Sequence, residues 1–229
     1  MSINGFNDFF AFQYDCCTNS DNWRRKKWYE IAKIKIIALP LHFIIQNRTM
    51  EEVTYQGLTF VPYIKRDAIA EQVQRLGAEI SRDYEGKNAL FLCVLTGSFV
   101  FAADLFRACD LQDAEITFVR LKSYEGMEST GEVQQVMGFS EDITGRNVLI
   151  VEDIIDSGLT AVKLRQELDK YNPKSVKMVS LLFKPEALEV GNPPEYVGFE
   201  IPRKFILGYG LDIDGLARNL SDIYVLKEE

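Results

Sequence analysis

From residue 50 onward, apolar positions fall into two alternating rhythms. Residues 67–81 place Ile69, Val73, Leu76 and Ile80 three or four apart, which predicts an amphipathic helix with one buried stripe. Apolar runs at 90–95, 116–121, 148–151, 176–183 and 205–211 predict core strands, and helical segments at 98–109 and 159–171 lie between them. That alternation predicts a largely parallel sheet covered on both faces. Ahead of it, Val53-Thr54-Tyr55 and Thr59-Phe60-Val61 flank Gln56-Gly57, a short strand pair with a turn. No repeat, low-complexity tract or long linker interrupts the pattern. The expected architecture is one α/β domain, with a small hood built from the early hairpin and the residues after Arg218.

Residues 1–49 follow neither rhythm. They hold both tryptophans, two of the four cysteines, the single histidine and nine aromatics. Seven basic residues against four acidic ones give them +3, which leaves −11 for residues 50–229 of the chain's −8. The apolar stretch 31–45 carries Lys33, Lys35, Pro40 and His42 and is too short to span a bilayer, and no small-residue cleavage site follows it. The expectation is an atypical extension at 1–49, foreign to the native protein, with Met50 as the natural start of the 50–229 domain. A peptide from within residues 1–49 found by mass spectrometry in the native protein would contradict it.

Composition narrows the function classes. With 229 residues, 47% of them hydrophobic, the chain is long enough for a substantial core. A net charge of −8 and a pI near 4.9 argue against a general affinity for nucleic acid or an anionic membrane. An anionic substrate therefore needs a local positive site or a metal. Cys16, Cys17, Cys93 and Cys109 form no CxxC pair, and the last two lie in apolar segments, so they read as reduced and structural. With His42 alone, histidine-cluster metal sites are excluded. These features together predict a cytoplasmic protein.

The chemistry concentrates at Val148-Leu149-Ile150-Val151-Glu152-Asp153-Ile154-Ile155-Asp156-Ser157-Gly158-Leu159-Thr160, a buried strand that runs into paired carboxylates and then a glycine-containing turn opening a helix. The backbone N–H groups of such a turn point outward with the positive end of the helix dipole and can cradle a phosphate, the Ser157 and Thr160 hydroxyls adding donors. Adjacent acids at a strand mouth cannot both face the core, and they suit sugar hydroxyls or hydrated magnesium. An ordinary acidic helix N-terminus explains Asp156 alone but not Glu152-Asp153.

This segment resembles the phosphoribosyl pyrophosphate signature of the type I phosphoribosyltransferases, in the form typical of hypoxanthine-guanine enzymes. The resemblance runs from about Met50 to the C-terminus, and four further segments match in order. It implies the type I phosphoribosyltransferase fold, transfer of a 5-phosphoribosyl group from phosphoribosyl pyrophosphate to hypoxanthine or guanine, Mg2+ dependence, and a homodimer or homotetramer. It implies that Glu152 and Asp153 hold the ribose hydroxyls, partly through magnesium. The turn of Asp156, Ser157, Gly158, Leu159 and Thr160 would hold the 5′-phosphate, with Asp156 as general base near the purine nitrogen that loses its proton.

In Leu95-Thr96-Gly97-Ser98 the glycine lets backbone approach a ligand, and the resemblance implies contact with pyrophosphate. Many members of the family carry lysine where this chain has Thr96, so the implied role belongs to the backbone of Thr96 and Gly97. Residues 123–132 are polar and glycine-containing, and Ser123-Tyr124 matches the family's catalytic lid, which excludes water. Lys184, a solvated strand-end lysine by ordinary reading, is implied to donate to the purine O6 and to reject the amino group of adenine.

In Phe205-Ile206-Leu207-Gly208-Tyr209-Gly210-Leu211-Asp212 a dinucleotide fingerprint fails, because Ile213 stands where the third glycine belongs. The resemblance implies instead that Phe205 stacks on the purine and the Ile206 backbone reads its 2-position. It also implies that Asp212 binds a second magnesium and that Arg218 contacts pyrophosphate oxygens. Gly97, Ser123, residues 152–160, Lys184 and Asp212 all follow the carboxyl ends of predicted parallel strands, the edge where open α/β sheets bind ligands. A phosphoribosyl pyrophosphate-sensing regulator on the same fold is the alternative from another class. Pyrimidine or adenine phosphoribosyltransferases are the enzyme rivals, which do not call for Lys184 and the 205–212 segment in this form.

Overall fold

The hairpin closes as its residues require. Strand β1 (Val53–Tyr55) pairs antiparallel with β2 (Leu58–Ile64), and Gln56 and Gly57 between them have φ of 52° and 78°. Two such residues in the left-handed region make the two-residue turn that suits the right-handed twist of strands. The computed structural model describes residues 51–122, 134–137 and 142–228. The expectations for residues 1–49 and for the lid pair Ser123-Tyr124 lie outside the described residues.

Helix α1 (Arg66–Tyr84) extends past both predicted ends, and Ile69, Val73, Leu76 and Ile80 are all buried along one stripe that Tyr84 continues. Next come β3 (Ala89–Leu95), α2 (Phe99–Ala108), β4 (Glu115–Lys122), β5 (Gln134–Met137), β6 (Asn147–Ile155), α3 (Leu159–Asp169), β7 (Ser175–Phe183) and β8 (Tyr196–Glu200). They form a six-stranded sheet in the order β5-β4-β3-β6-β7-β8, parallel from β4 to β8 with β5 antiparallel at one edge. Side chains alternate between its faces. Phe91, Cys93, Leu149 and Val151 join a core with α1 and α2, whereas Leu90, Leu92, Val148 and Ile150 join one with Leu164 and Leu168 of α3. Both faces are covered, which is why the β3 and β6 runs are continuously apolar.

The expected fifth core strand, 205–211, is not in this sheet. Only Ile206–Leu207 is extended (β9), and it pairs antiparallel with β10 (Ile223–Leu226) in a second sheet ordered β1-β2-β10-β9. Gly208, Tyr209 and Gly210 have φ of 97°, 51° and 101°, and three successive left-handed residues end an extended chain. The fifth parallel strand is β8, which the sequence pattern hid because it is only five residues long with Gly198 at its centre. The hood therefore contains β9 as well as the hairpin and the C-terminal strand. Cys93 and Cys109 are free, and burial pushes their thiols up to about 12 and about 11, as inert reduced cysteines require. No helix among the described residues is long and apolar enough to cross a membrane.

Candidate active site

Strand β6 runs on through its carboxylates. Glu152 is buried and Asp153 part-buried, so the sheet edge holds two acids largely withdrawn from water. Burial pushes the Asp153 carboxyl up to about 6. Burial, reinforced by the neighbouring Asp153 charge, raises Glu152 well above the usual carboxylate range. Asp153 occupies space that only a glycine at position 97 leaves open, since a Cβ there would lie 1.7 Å from Asp153 Oδ2. The Gly97 carbonyl in turn abuts Gly210, where a Cβ would come within 2.1 Å of it. Thus the β3 loop, the β6 acids and the 208–217 loop meet backbone to side chain, in a contact the sequence did not disclose.

Beyond Ile155 the chain turns. Asp156 and Thr160 are exposed, Ser157 is part-buried, and Gly158, with φ of 81°, precedes Leu159 at the first position of α3. Gly158, at the N-cap, has no side chain to cap with, and the Ser157 hydroxyl oxygen accepts from Leu159 N–H at a long 3.5 Å. The first-turn N–H groups of a helix lack intrahelical acceptors, so they are donors for an anion. Glu152, Asp153, Asp156, Ser157, Gly158 and Thr160 line one cavity of about 300 Å³. A larger hollow of about 790 Å³ lies between α1, α2 and residues 218–221, but it lacks this pairing of adjacent acids with a glycine turn that opens a helix.

Lys184 follows β7, and the β6–β7 register, Ile155 opposite Phe183, brings it beside the turn. Its N–H donates to the Ile155 carbonyl at 2.9 Å, and its Nζ donates to Asp156 Oδ2 at 2.9 Å. Thr96 is exposed at the end of β3, after a cis Leu95–Thr96 peptide, and its carbonyl accepts from Phe99 N–H at 3.3 Å.

The hood delivers the remaining residues. Phe205 is 48% exposed at the entry to β9, its ring tilted against Phe60 with centroids 5.9 Å apart, and Ile206 behind it is buried. Arg218 pairs with Asp212 at 2.8 Å and donates to the Gly210 carbonyl at 2.6 Å. Both charges act on Asp153 with opposite signs. Asp212 therefore reaches the acids from a loop after an antiparallel strand, not from the end of a parallel one as expected. The single-edge geometry holds for Gly97, residues 152–160 and Lys184.

Tyr209, read from sequence only within a rejected fingerprint, has a structural task. Its hydroxyl donates to Asp104 Oδ2 of α2 at 2.6 Å and so fastens the left-handed loop to the main sheet's helical layer. A separation of 105 residues left no local pattern to reveal it.

No three His, Cys, Asp or Glu side chains converge as a preformed metal cage among the described residues. The acids present are oxygen donors beside a turn that opens a helix, which fits magnesium: it takes one or two carboxylates, keeps waters and binds together with substrate phosphates.

A family model described as phosphoribosyl transferase domain matches residues 63–214. The human hypoxanthine-guanine phosphoribosyltransferase is 38% identical over 195 residues, 81% of this chain and 87% of the human one. This chain belongs to the hypoxanthine-guanine phosphoribosyltransferase family. Among solved structures, a Bacillus anthracis hypoxanthine-guanine phosphoribosyltransferase is 42% identical with a TM-score of 0.68, over 73% of this chain and 96% of its own. The hypoxanthine phosphoribosyl transferase of Trypanosoma cruzi is 35% identical with a TM-score of 0.70, over 76% and 94%. This phosphoribosyltransferase thus has the type I fold expected from its sequence: a mainly parallel sheet, flanking helices and a small hood.

Proposed function

We propose that this phosphoribosyltransferase is a purine salvage enzyme. It transfers the 5-phosphoribosyl group from phosphoribosyl pyrophosphate to hypoxanthine or guanine, giving IMP or GMP and pyrophosphate. The observation that carries this reading is the meeting of Lys184 and Asp156 at the mouth of the phosphate-binding turn. A donor for a purine oxygen and an acceptor for a purine proton stand together beside the place for a 5′-phosphate.

In the proposed mechanism the 156–160 turn binds the 5′-phosphate through backbone N–H groups and the Ser157 and Thr160 hydroxyls. Glu152 and Asp153 orient the ribose hydroxyls, and the backbone of Thr96 and Gly97, with Arg218, binds the pyrophosphate. Glu152, Asp153 and Asp212 are the residues that would hold magnesium, which when bound would offset the negative charge of the pyrophosphate. Phe205 stacks on the base, the Ile206 backbone reads its 2-position, and Lys184 donates to O6. Purine N9 attacks the anomeric carbon while Asp156 accepts the N7 proton, and Ser123 and Tyr124 close over the centre to exclude water. Catalysis here is mainly positioning and charge stabilisation. Cytoplasmic location and a homodimer or homotetramer complete the proposal. For the T. cruzi relative, the C-terminal region bears on oligomeric state and activity.

The test is the initial rate of nucleotide formation from hypoxanthine, guanine, xanthine and adenine with phosphoribosyl pyrophosphate and magnesium, EDTA serving as control. Turnover of 6-oxopurines that EDTA abolishes, with little from adenine, is expected. Binding of phosphoribosyl pyrophosphate without turnover of any base would overturn the reading in favour of a sensing protein.

A further inference from the structure

The segment after Lys184 returns to the phosphate turn from behind. A 3-10 turn at Pro185–Ala187 reverses the chain, and the N–H groups of Glu189 and Val190 then both donate to the Ser157 carbonyl, at 3.0 and 3.2 Å. The Val190 carbonyl and Leu188 Cδ1 press on Gly158, where a Cβ would lie 2.2 and 2.7 Å from them. Gly191 stands against α3, with space for a Cβ only 2.7 Å from Val162 Cγ2. Leu188 is part-buried and packs on the core between α3 and the sheet. Val190 is 38% exposed, so its side chain does not explain its place, whereas its backbone does. None of residues 188–191 lines the cavity that the turn shares with Glu152 and Asp153.

We infer that residues 188–191 are a strap that holds the Asp156-Ser157-Gly158 turn in its phosphate-binding conformation, with Leu188 as the anchoring side chain. The turn depends on a left-handed residue, Gly158, the least restricted residue in the chain's repertoire. Left unsupported it would sample other conformations, and ordering it would then be charged against ligand affinity. The strap supplies that order in advance from a side the ligand never touches. Leu188 is therefore a positioning residue. The inference rests on the 5′-phosphate site of the proposed function.

The experiment compares Leu188→Ala and Leu188→Met with the wild-type chain, measuring KM for phosphoribosyl pyrophosphate, KM for hypoxanthine and kcat. The affinity for ribose 5-phosphate is measured separately by calorimetry. Leu188→Ala is expected to raise the phosphoribosyl pyrophosphate KM and the ribose 5-phosphate Kd together by about tenfold, less than the ~10²-fold that a 1 Å misplacement can cost. The kcat and the hypoxanthine KM stay within about twofold, and Leu188→Met restores the wild-type values. Unchanged ribose 5-phosphate affinity overturns the strap, as does a parallel fall of every parameter with the melting temperature that Leu188→Met does not rescue. Should Leu188→Ala fail to fold, Leu188→Val is read by the same criteria. A wild-type chain that binds ribose 5-phosphate but turns over no base overturns the transferase reading and leaves the strap standing. A wild-type chain without affinity for ribose 5-phosphate overturns both.

Discussion

Lys184 Nζ and Asp156 Oδ2 stand 2.9 Å apart across the ends of two neighbouring parallel strands, the lysine side chain 12% exposed and the aspartate 55%. An ion pair this open to water on one side contributes little stability. Its use is to keep a cation and a carboxylate in fixed relation where the proposed mechanism needs both. Replacing the cation by a neutral amide removes the charge from the O6 donor and adds an acceptor beside it. Lys184→Gln should lower kcat/KM for hypoxanthine by about 10- to 100-fold, the worth of a hydrogen bond from a charged group. The Gln carbonyl can accept from an exocyclic amine, so the hypoxanthine-to-adenine ratio of kcat/KM should fall further than hypoxanthine activity requires. An unchanged ratio would separate Lys184 from base selection.

Asp156→Asn keeps the shape of the turn while removing its basic oxygen. Turnover should drop by roughly 10²–10⁴-fold, the usual range for a general base, with affinity for phosphoribosyl pyrophosphate largely kept. Single-turnover rates and equilibrium binding distinguish the two effects. Near-normal turnover would remove Asp156 from the role.

Gly97→Ala tests the contact between β3 and β6. The added methyl falls 1.7 Å from Asp153 Oδ2, but a carboxylate can swing aside, so the fold should survive with a cost of about 1–3 kcal/mol. Asp153 cannot then keep its place. The KM for phosphoribosyl pyrophosphate should rise at least tenfold, as expected for a displaced ligand-binding group, and the magnesium concentration for half-maximal rate should rise with it. A variant with normal kinetics would show that the position of Asp153 is immaterial.

Tyr209→Phe removes only the hydroxyl that ties the 208–217 loop to Asp104. Asp104 keeps its ion pair with Arg107, so no acceptor is stranded, and unfolding should cost about 1 kcal/mol less than in the wild type. Because the loop carries Asp212 and holds Arg218 through Asp212 and the Gly210 carbonyl, the pyrophosphate affinity should weaken alongside. Denaturant melts and product inhibition by pyrophosphate measure the two. Loss of stability with unaltered pyrophosphate inhibition would confine Tyr209 to the scaffold.

Element types were legible in the sequence wherever the signal was local. The Ile69, Val73, Leu76, Ile80 stripe, the Gln56-Gly57 turn and the passage from β6 through Gly158 into α3 depend on side-chain period and backbone freedom, which neighbouring residues determine among themselves. The candidate acids, turn and lysine were legible for the same reason, since each stands directly after an apolar run. Family membership was also carried by the chain alone, in the motif from Val148 to Thr160 and the segments that accompany it.

Tertiary structure decided what no window of sequence contains. An apolar run at 205–211 reads as a core strand until left-handed residues 208–210 send it to the hood, and β8 becomes a strand because β7 offers it an edge. Asp153 settles against Gly97, and Tyr209 against Asp104, only when sheet, helix and hood are packed. Such contacts join residues tens of positions apart, and their energy arises from close packing and shared hydrogen bonds after the elements exist. The sequence by itself determined the elements whose signal is local and the chemistry they carry; packing decided the fate of 205–211 and β8 and which groups face one another.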